Sequence, residues 1–342
     1  MDNRSKLAIA TAGVAAGVFA RRMYQSSRER LIGGSVALIT GGSRGLGLAL
    51  ARRFAREGCP VAICARDEEE LQRARTSLEE RGARVMTSVC DVTNRSQVEQ
   101  TISDVTAYFG RIDILVNNAG IIKVGPVEAM TIEDFEEAMN VIFWGTVNPT
   151  MTLLPTFLER NRGHIVNITS IGAKVSVPHL LPYSAAKYAA EGFSEGLRAE
   201  LKGTGVKVTT IAPGLMRTGS YNAAMFKGDR EAEAAWFSAG ASMPGLSMSA
   251  ERAACQIVAA VKRGDAERIL TTQANVLARL KGVAPGLTQD LLGAAALLLL
   301  PQRSADKRQT PGWGLANLRS AKMRALLAFG RVAAHRFNQR TA

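Results

Sequence analysis

Short apolar runs recur along the chain, and stretches of helical period separate them. The runs at 35–40, 60–65, 84–89, 112–116, 163–168, 206–211 and 268–271 read as strands, most of them buried on both faces. Helical patterns fill most of the gaps, near 45–57, 68–81, 95–109, 131–160, 183–202 and 249–263. This alternation predicts an α/β fold, a single Rossmann-like doubly wound parallel sheet with helices on both faces. In such a sheet the ligand lies at the C-terminal ends of the strands. Pro149 and Pro155 fall inside the 131–160 pattern and predict a kink or a division there. There is no internal repeat.

The strand-to-helix junctions carry the candidate chemistry. In S-V-A-L-I-T-G-G-S-R-G-L-G-L-A-L (35–50), the strand Val36 to Ile39 runs into Gly41, Gly45 and Gly47. A helical pattern with Leu46, Leu50 and Phe54 follows. Glycines at such a turn let backbone N–H groups approach a pyrophosphate at the positive end of a helix. The spacing is G-x-x-x-G-x-G, not the G-x-G-x-x-G of the usual dinucleotide fingerprint. A second buried strand, I-D-I-L-V-N-N-A-G (112–120), ends in two amides and a glycine.

Further on, N-I-T-S-I-G-A-K-V-S-V-P-H-L-L-P-Y-S-A-A-K (167–187) brings Ser170, Tyr183 and Lys187. Tyr183 and Lys187 are four apart and share one face of a helix. Ser170 precedes the tyrosine by enough chain for a strand end and loop to bring its hydroxyl back. A free phenol titrates near ~10, and a neighbouring ammonium lowers that value. The expectation is a proton donor tuned by a lysine, with a serine hydroxyl to hold a carbonyl oxygen.

Together these elements resemble the short-chain dehydrogenase/reductase family over about residues 31–275. The motifs stand in the family's order: T-G-G-S-R-G-L-G, Asp91-Val92, N-N-A-G, Ser170, Y-S-A-A-K and P-G-L-M-R-T (213–218). The resemblance implies nicotinamide chemistry, with Ser170, Tyr183 and Lys187 catalytic, and a homo-oligomer. It implies that Gly41, Ser43, Gly45 and Leu46 line the pyrophosphate side, and that Asp91 and Val92 meet the adenine. Asn118, Ala119 and Gly120 would lie under the adenosine ribose. Tyr183, Lys187, Pro213, Gly214 and Thr218 would serve the nicotinamide side.

Arg44 and Arg66 bear on the choice of dinucleotide. In the family's pattern an acid ending the second strand binds the 2′-hydroxyl of NAD. Here Ala65 holds that position and Arg66 follows, in V-A-I-C-A-R-D. Arginine suits a 2′-phosphate through charge-assisted bonds, which places NADP(H) ahead of NAD(H). The competing register takes Asp67 as the ribose acid.

One position departs from the pattern. The family's fourth catalytic residue, an asparagine three before a glycine, maps to Ile142 in I-F-W-G ending at Gly145. Asn140 is two residues earlier and ~200° round a helix. This leaves open a non-catalytic dinucleotide-binding protein as the alternative function.

The chain has 342 residues, 46% apolar and 21% charged, enough for a sizeable core. The three parts expected are an N-terminal extension (1–30), the catalytic domain (31–275) and a C-terminal extension (276–342). Residues 1–30 hold six Lys/Arg against two acids, and residues 303–342 hold nine against one. The two ends thus carry +12 of the formal +13. That suits an anionic membrane surface. Nucleic acid is disfavoured, because few aromatic residues accompany the charge. Leu7 to Ala20 is apolar but too short for a span, which needs ~20 residues. Leu291 to Leu300 predicts a buried or interfacial helix, and 315–337 a basic amphipathic helix or a solvated tail. Cys59, Cys64, Cys90 and Cys255 show no zinc or C-x-x-C spacing, so no metal is expected. Reduced thiols suit a cytoplasmic location, with membrane association through the ends.

Residues 214–248 are expected to cover the substrate. They include Met216, Tyr221, Met225, Phe226, Trp236, Phe237 and Met243, with Leu180 and Leu181 before the tyrosine. An apolar lid suits a small apolar carbonyl or alcohol, unless these side chains only pack the lid on the core.

Overall fold

Seven strands form as the apolar runs predict: β1 (Ala37–Thr40), β2 (Val61–Ala65), β3 (Val85–Val89), β4 (Ile114–Asn117), β5 (Gly163–Ile168), β6 (Val206–Ala212) and β7 (Glu267–Ile269). The computed structural model describes residues 29–315, 323 and 327–339. All seven strands are parallel, in the order β7-β6-β5-β4-β1-β2-β3. The order reverses between β1 and β4, so the crevice of a doubly wound sheet opens where Thr40 and Asn117 end their strands. Short strands at 123–124, 225–226 and 310–311 make a separate small sheet over this end.

The helices are α1 (Gly45–Arg56), α2 (Glu68–Glu79), α3 (Arg95–Phe109), α4 (Ile132–Ala138), α5 (Gly145–Glu159), α6 (Leu181–Glu200), α7 (Arg230–Ser242), α8 (Ala250–Arg263), α9 (Thr272–Val283), α10 (Pro285–Leu299) and α11 (Ala328–Arg336). One core lies under α1, α2 and α8, with Phe54, Leu50, Ile63 and Ile257 buried. Another lies on the opposite face, with Leu115, Val105, Phe157 and Val208. Side-chain caps start several helices: Asp67, Asn94, Asp229 and Ser249 each accept a first-turn backbone N–H. Helix α1 differs, since its first residue follows Arg44 and no side chain caps it.

Two expectations change. The 131–160 pattern does divide, but at a π-helical turn over 139–144 and not at its prolines. Helix α5 runs through both Pro149 and Pro155. Thr146, Thr150 and Thr152 donate hydroxyl bonds to carbonyls four residues back, the kind of contact that bends a helix without breaking it. The second change removes only the buried alternative for Leu291 to Leu300. Helix α10 is not buried: Leu297, Leu298 and Leu299 are 78%, 83% and 76% exposed. It packs on α9, whose start is tied to the domain by the buried Ala274 and by Asn275, which donates to the Ile269 carbonyl.

Among the described residues, no helix is long and apolar enough to cross a membrane. The Leu7–Ala20 segment lies outside the described residues, as does most of 315–326. Where the chain becomes described, Glu29 pairs with Lys262 and Arg263 at the end of α8. Cys59, Cys64 and Cys90 are buried free thiols, and Cys255 is free and exposed.

Candidate active site

Beyond β5 the chain leaves the sheet at Thr169 and turns at Ser170. The Ser170 Oγ accepts the N–H of Gly172 at 3.0 Å, which caps a short turn and fixes the hydroxyl in place. A Cβ on Gly172 would stand 3.3 Å from the Tyr183 ring and 3.4 Å from Ser170 Oγ. Serine and phenol therefore flank the same glycine.

Tyr183 is in the first turn of α6, and Lys187 follows one turn later. A buried polar chain locks this helix to the sheet. Asn117 donates to Asn167 at 2.8 Å, Asn167 to Ser194 at 2.9 Å, and Ser194 meets Thr210 at 2.7 Å. The chain of bonds ties the helix to the sheet at one register, with the Asn117 Oδ1 left buried without a hydrogen-bond partner among the described residues. Lys187 Nζ donates to the Ile168 carbonyl at 2.7 Å and lies 5.8 Å from the centre of the Tyr183 ring.

Burial lowers the Lys187 ammonium to about 8. Burial also pushes the Tyr183 phenol up, and the Ser170 hydroxyl pulls it partly back. The expected depression of Tyr183 by Lys187 is not what this arrangement produces. The ammonium is turned to a backbone carbonyl, and desolvation dominates both groups.

Ile142 is buried within the π-helical turn, against Ala186 and Ala190 of α6. A Cβ on Gly120 would lie 3.8 Å from Lys187 Nζ and 3.9 Å from Ile142. An apolar side chain thus borders the lysine where the resemblance expects an asparagine. Asn140 is exposed and takes no part.

The glycine turn begins one strand away. Thr40 Oγ1 accepts the N–H groups of Asn118 and Ala119, and Asn118 Nδ2 donates to the carbonyls of Thr40 and Gly41. These bonds tie the ends of β1 and β4 together. Gly47 is required, since its Cβ would fall 2.1 Å from the Gly41 carbonyl oxygen. Gly45 has φ +58, a left-handed conformation that favours glycine. Thr218 is buried and approaches Gly45, while the Pro213 carbonyl accepts the Ile171 N–H at 2.7 Å. The contacts thus run from the glycine turn through Asn118 to Gly120 and Lys187, and through Thr218 and Pro213 to Ser170.

Arg66 stands exposed just past β2, and Asp67 is occupied in capping α2. Arg44 is 38% exposed and pairs with Glu70 at 2.8 Å. Glu70 is itself buried and also accepts the Ser43 hydroxyl at 3.1 Å. Asp91 holds its own loop through Thr93, and Val92 is buried below α5, where Asn148 donates to its carbonyl. Glu70, Thr40 and the tail residues 337–339 were not singled out by the sequence. Only Thr40 had a local signal, as the threonine opening the T-G-G turn.

The lid is largely spent on its own packing. Tyr221, Phe226 and Phe237 are buried with Leu180, Leu315 and Leu327, and Tyr183 packs against this cluster. Burial pushes the Tyr221 phenol up to about 12. Trp236 donates to Glu233 at 2.6 Å, and Glu233 also meets His179 at 2.7 Å. Leu181, Leu215, Met243 and Leu246 remain the exposed large apolar positions of the lid region.

For a dinucleotide the turn offers a helix start that no side chain caps and a close backbone approach beside the end of β4, so the residues fit the group. Comparison with known proteins points the same way. Residues 35–227 match the family model described as short chain dehydrogenase. An NADP-dependent 3-hydroxy acid dehydrogenase, YdfG, from Salmonella typhi is 37% identical over 197 residues, 57% of this chain and 78% of its own length. A variant of actinorhodin polyketide ketoreductase solved with NADPH superposes with a TM-score of 0.62 at 32% identity, over 70% of this chain and 95% of its own. A short-chain dehydrogenase/reductase from Burkholderia phymatum in complex with NAD gives 0.70 at 25% identity, over 75% and 96%. The chain belongs to the short-chain dehydrogenase/reductase family of oxidoreductases.

Proposed function

We propose that the chain is an NADP(H)-dependent oxidoreductase that interconverts a carbonyl and a secondary alcohol on an apolar substrate. The observation that carries this reading is the convergence of Ser170, Tyr183 and Lys187 about the end of β5, between Gly120 and Gly172. The bound dinucleotide supplies the hydride for reduction, or takes it up in oxidation. Ser170 holds the carbonyl oxygen by a hydrogen bond. Tyr183, kept protonated at neutral pH by its burial, gives its proton to that oxygen as negative charge develops. Lys187, lowered to about 8, is an ammonium that can pass a proton back toward the phenol near working pH. The Ile168 carbonyl orients it, and Ile142 keeps its apolar side dry.

Arg44 and Arg66 favour a 2′-phosphate, and Asp67, the rival ribose acid, has one carboxylate oxygen engaged in capping α2. The apolar substrate is supported by Leu181, Leu215, Met243 and Leu246, the large apolar side chains of the lid region that stay exposed. Oxidation of NADPH and NADH across a panel of apolar ketones, sugars and acyl thioesters tests the reading. Turnover on an apolar carbonyl, with NADPH favoured by at least about tenfold, is expected. NADPH binding without turnover on any carbonyl favours a non-catalytic binding protein, and preference for NADH overturns the cofactor assignment.

A further inference from the structure

The last described residues return to the glycine turn. Helix α11 lies on the lid side, where Ala334 approaches within 2.4 Å of the point a Cβ on Gly219 would occupy. Leu327 joins the lid cluster, and Phe337 enters the sheet core with the Arg52 guanidinium 5.5 Å from its ring centre. Beyond the helix, the Phe337 carbonyl accepts the N–H of Gly45 at 2.9 Å. Asn338, in a left-handed conformation at φ +57, donates to the Ser43 carbonyl at 2.9 Å and the Glu70 carbonyl at 2.8 Å. Its own Oδ1 accepts from Arg73 at 2.9 Å. Gln339 Nε2 comes within 3.0 Å of the point a Cβ on Gly45 would occupy, and its amide oxygen is buried without a partner among the described residues.

These contacts occupy the first N–H of α1. That N–H belongs to the end of the helix that would otherwise point at an anion. A peptide carbonyl is a weaker, neutral acceptor than a phosphate oxygen, but it is tethered and always present.

We propose that residues 337–339 form an autoinhibitory strap that competes with the dinucleotide pyrophosphate for the glycine turn. The inference rests on the dinucleotide reading of this cleft. Freeing the turn needs Asn338 and Gln339 to lift and the Phe337 carbonyl to swing away from Gly45, while the Phe337 ring and Ala333 stay anchored in the core. The apparent affinity for dinucleotide is then the intrinsic affinity reduced by the fraction of molecules with the strap lifted. A partner or surface that captures this basic end would raise that fraction and switch the enzyme on.

Asn338→Gly in the full chain tests this. Glycine accepts the positive φ, so the backbone stays free to adopt its present path while three side-chain bonds are removed. NADPH and NADP+ should bind the variant roughly tenfold more tightly than the parent. Hydrogen exchange of 328–339 in the parent should speed up when NADPH saturates it, and exchange at Gly45 should be faster in the ligand-free variant. Equal or weaker binding by the variant, or slower exchange of 328–339 on adding NADPH, overturns the strap and leaves the cofactor site standing. If neither protein binds either dinucleotide, the cofactor reading fails and the strap falls with it.

Discussion

The two corners of the cleft are built on different scales. The Ser170–Tyr183–Lys187 corner comes from one continuous stretch that spans a strand end, a turn and the start of a helix. The glycine-turn corner is assembled from chain ends. Asn338 bonds Ser43 across 295 residues of sequence, and Arg73 reaches Asn338 across 265. The first corner is fixed by packing and is complete. The second is shared between its motif and a tail, and its availability is a matter of equilibrium. On the proposed strap, chemistry and binding would be under separate control.

The largest expected effect falls on the first corner. Tyr183→Phe should lower turnover by about 10² to 10⁴-fold while NADPH affinity stays at the parent's value. Steady-state rates and a binding titration measure the two separately. If the variant keeps the parent's rate, the proton donor is elsewhere.

On the second corner, Gly47→Ala places a methyl 2.1 Å from the Gly41 carbonyl and must open the turn. NADPH affinity should drop by roughly a hundredfold, an effect of about 3 kcal/mol. Near-normal affinity would mean that the turn is not the binding element. Arg66→Ala should be smaller and selective, raising the KM for NADPH about tenfold and leaving that for NADH unchanged. Equal effects on both would remove the 2′-phosphate from the account.

The smallest effect concerns stability. Lys187 titrates near about 8 in the folded chain, against 10.5 without burial. Below about 8 the ammonium is charged in both states, and folding carries its full desolvation cost. Between those values the folded chain releases the proton while the unfolded chain keeps it, so stability rises with pH. Lys187→Met should lack that rise, measured as the unfolding free energy from pH 7 to 10. A parallel rise in both proteins would assign it to another group.

Sequence and structure agree closely where contacts are local. All seven strands and the helices from α1 to α3 lie within a few residues of the apolar and helical patterns, because burial on both faces leaves a plain mark in composition. The Ser/Tyr/Lys set stood out once its spacing was set behind the glycine turn and N-N-A-G, and the structure brings the three side chains together. The division at 139–144 was not, since a π-helical turn has no residue signature like that of proline. Glu70 gave no signal either. It reads as one acid among three at the start of a helix, and only the fold turns it toward Ser43 and Arg44. The basic end around 331–336 suggested a surface or a tail. Its buried Ala334 and Phe337 instead face the domain, a long-range pairing that no local pattern encodes.

The central claim is that one dinucleotide bridges both corners. Hydrogen exchange of the full chain, with and without saturating NADPH, measures this most directly. Slower exchange is predicted in two separate segments, the glycine turn at 41–47 and the Ser170 turn at 169–173. Slowing confined to either one alone would contradict the account.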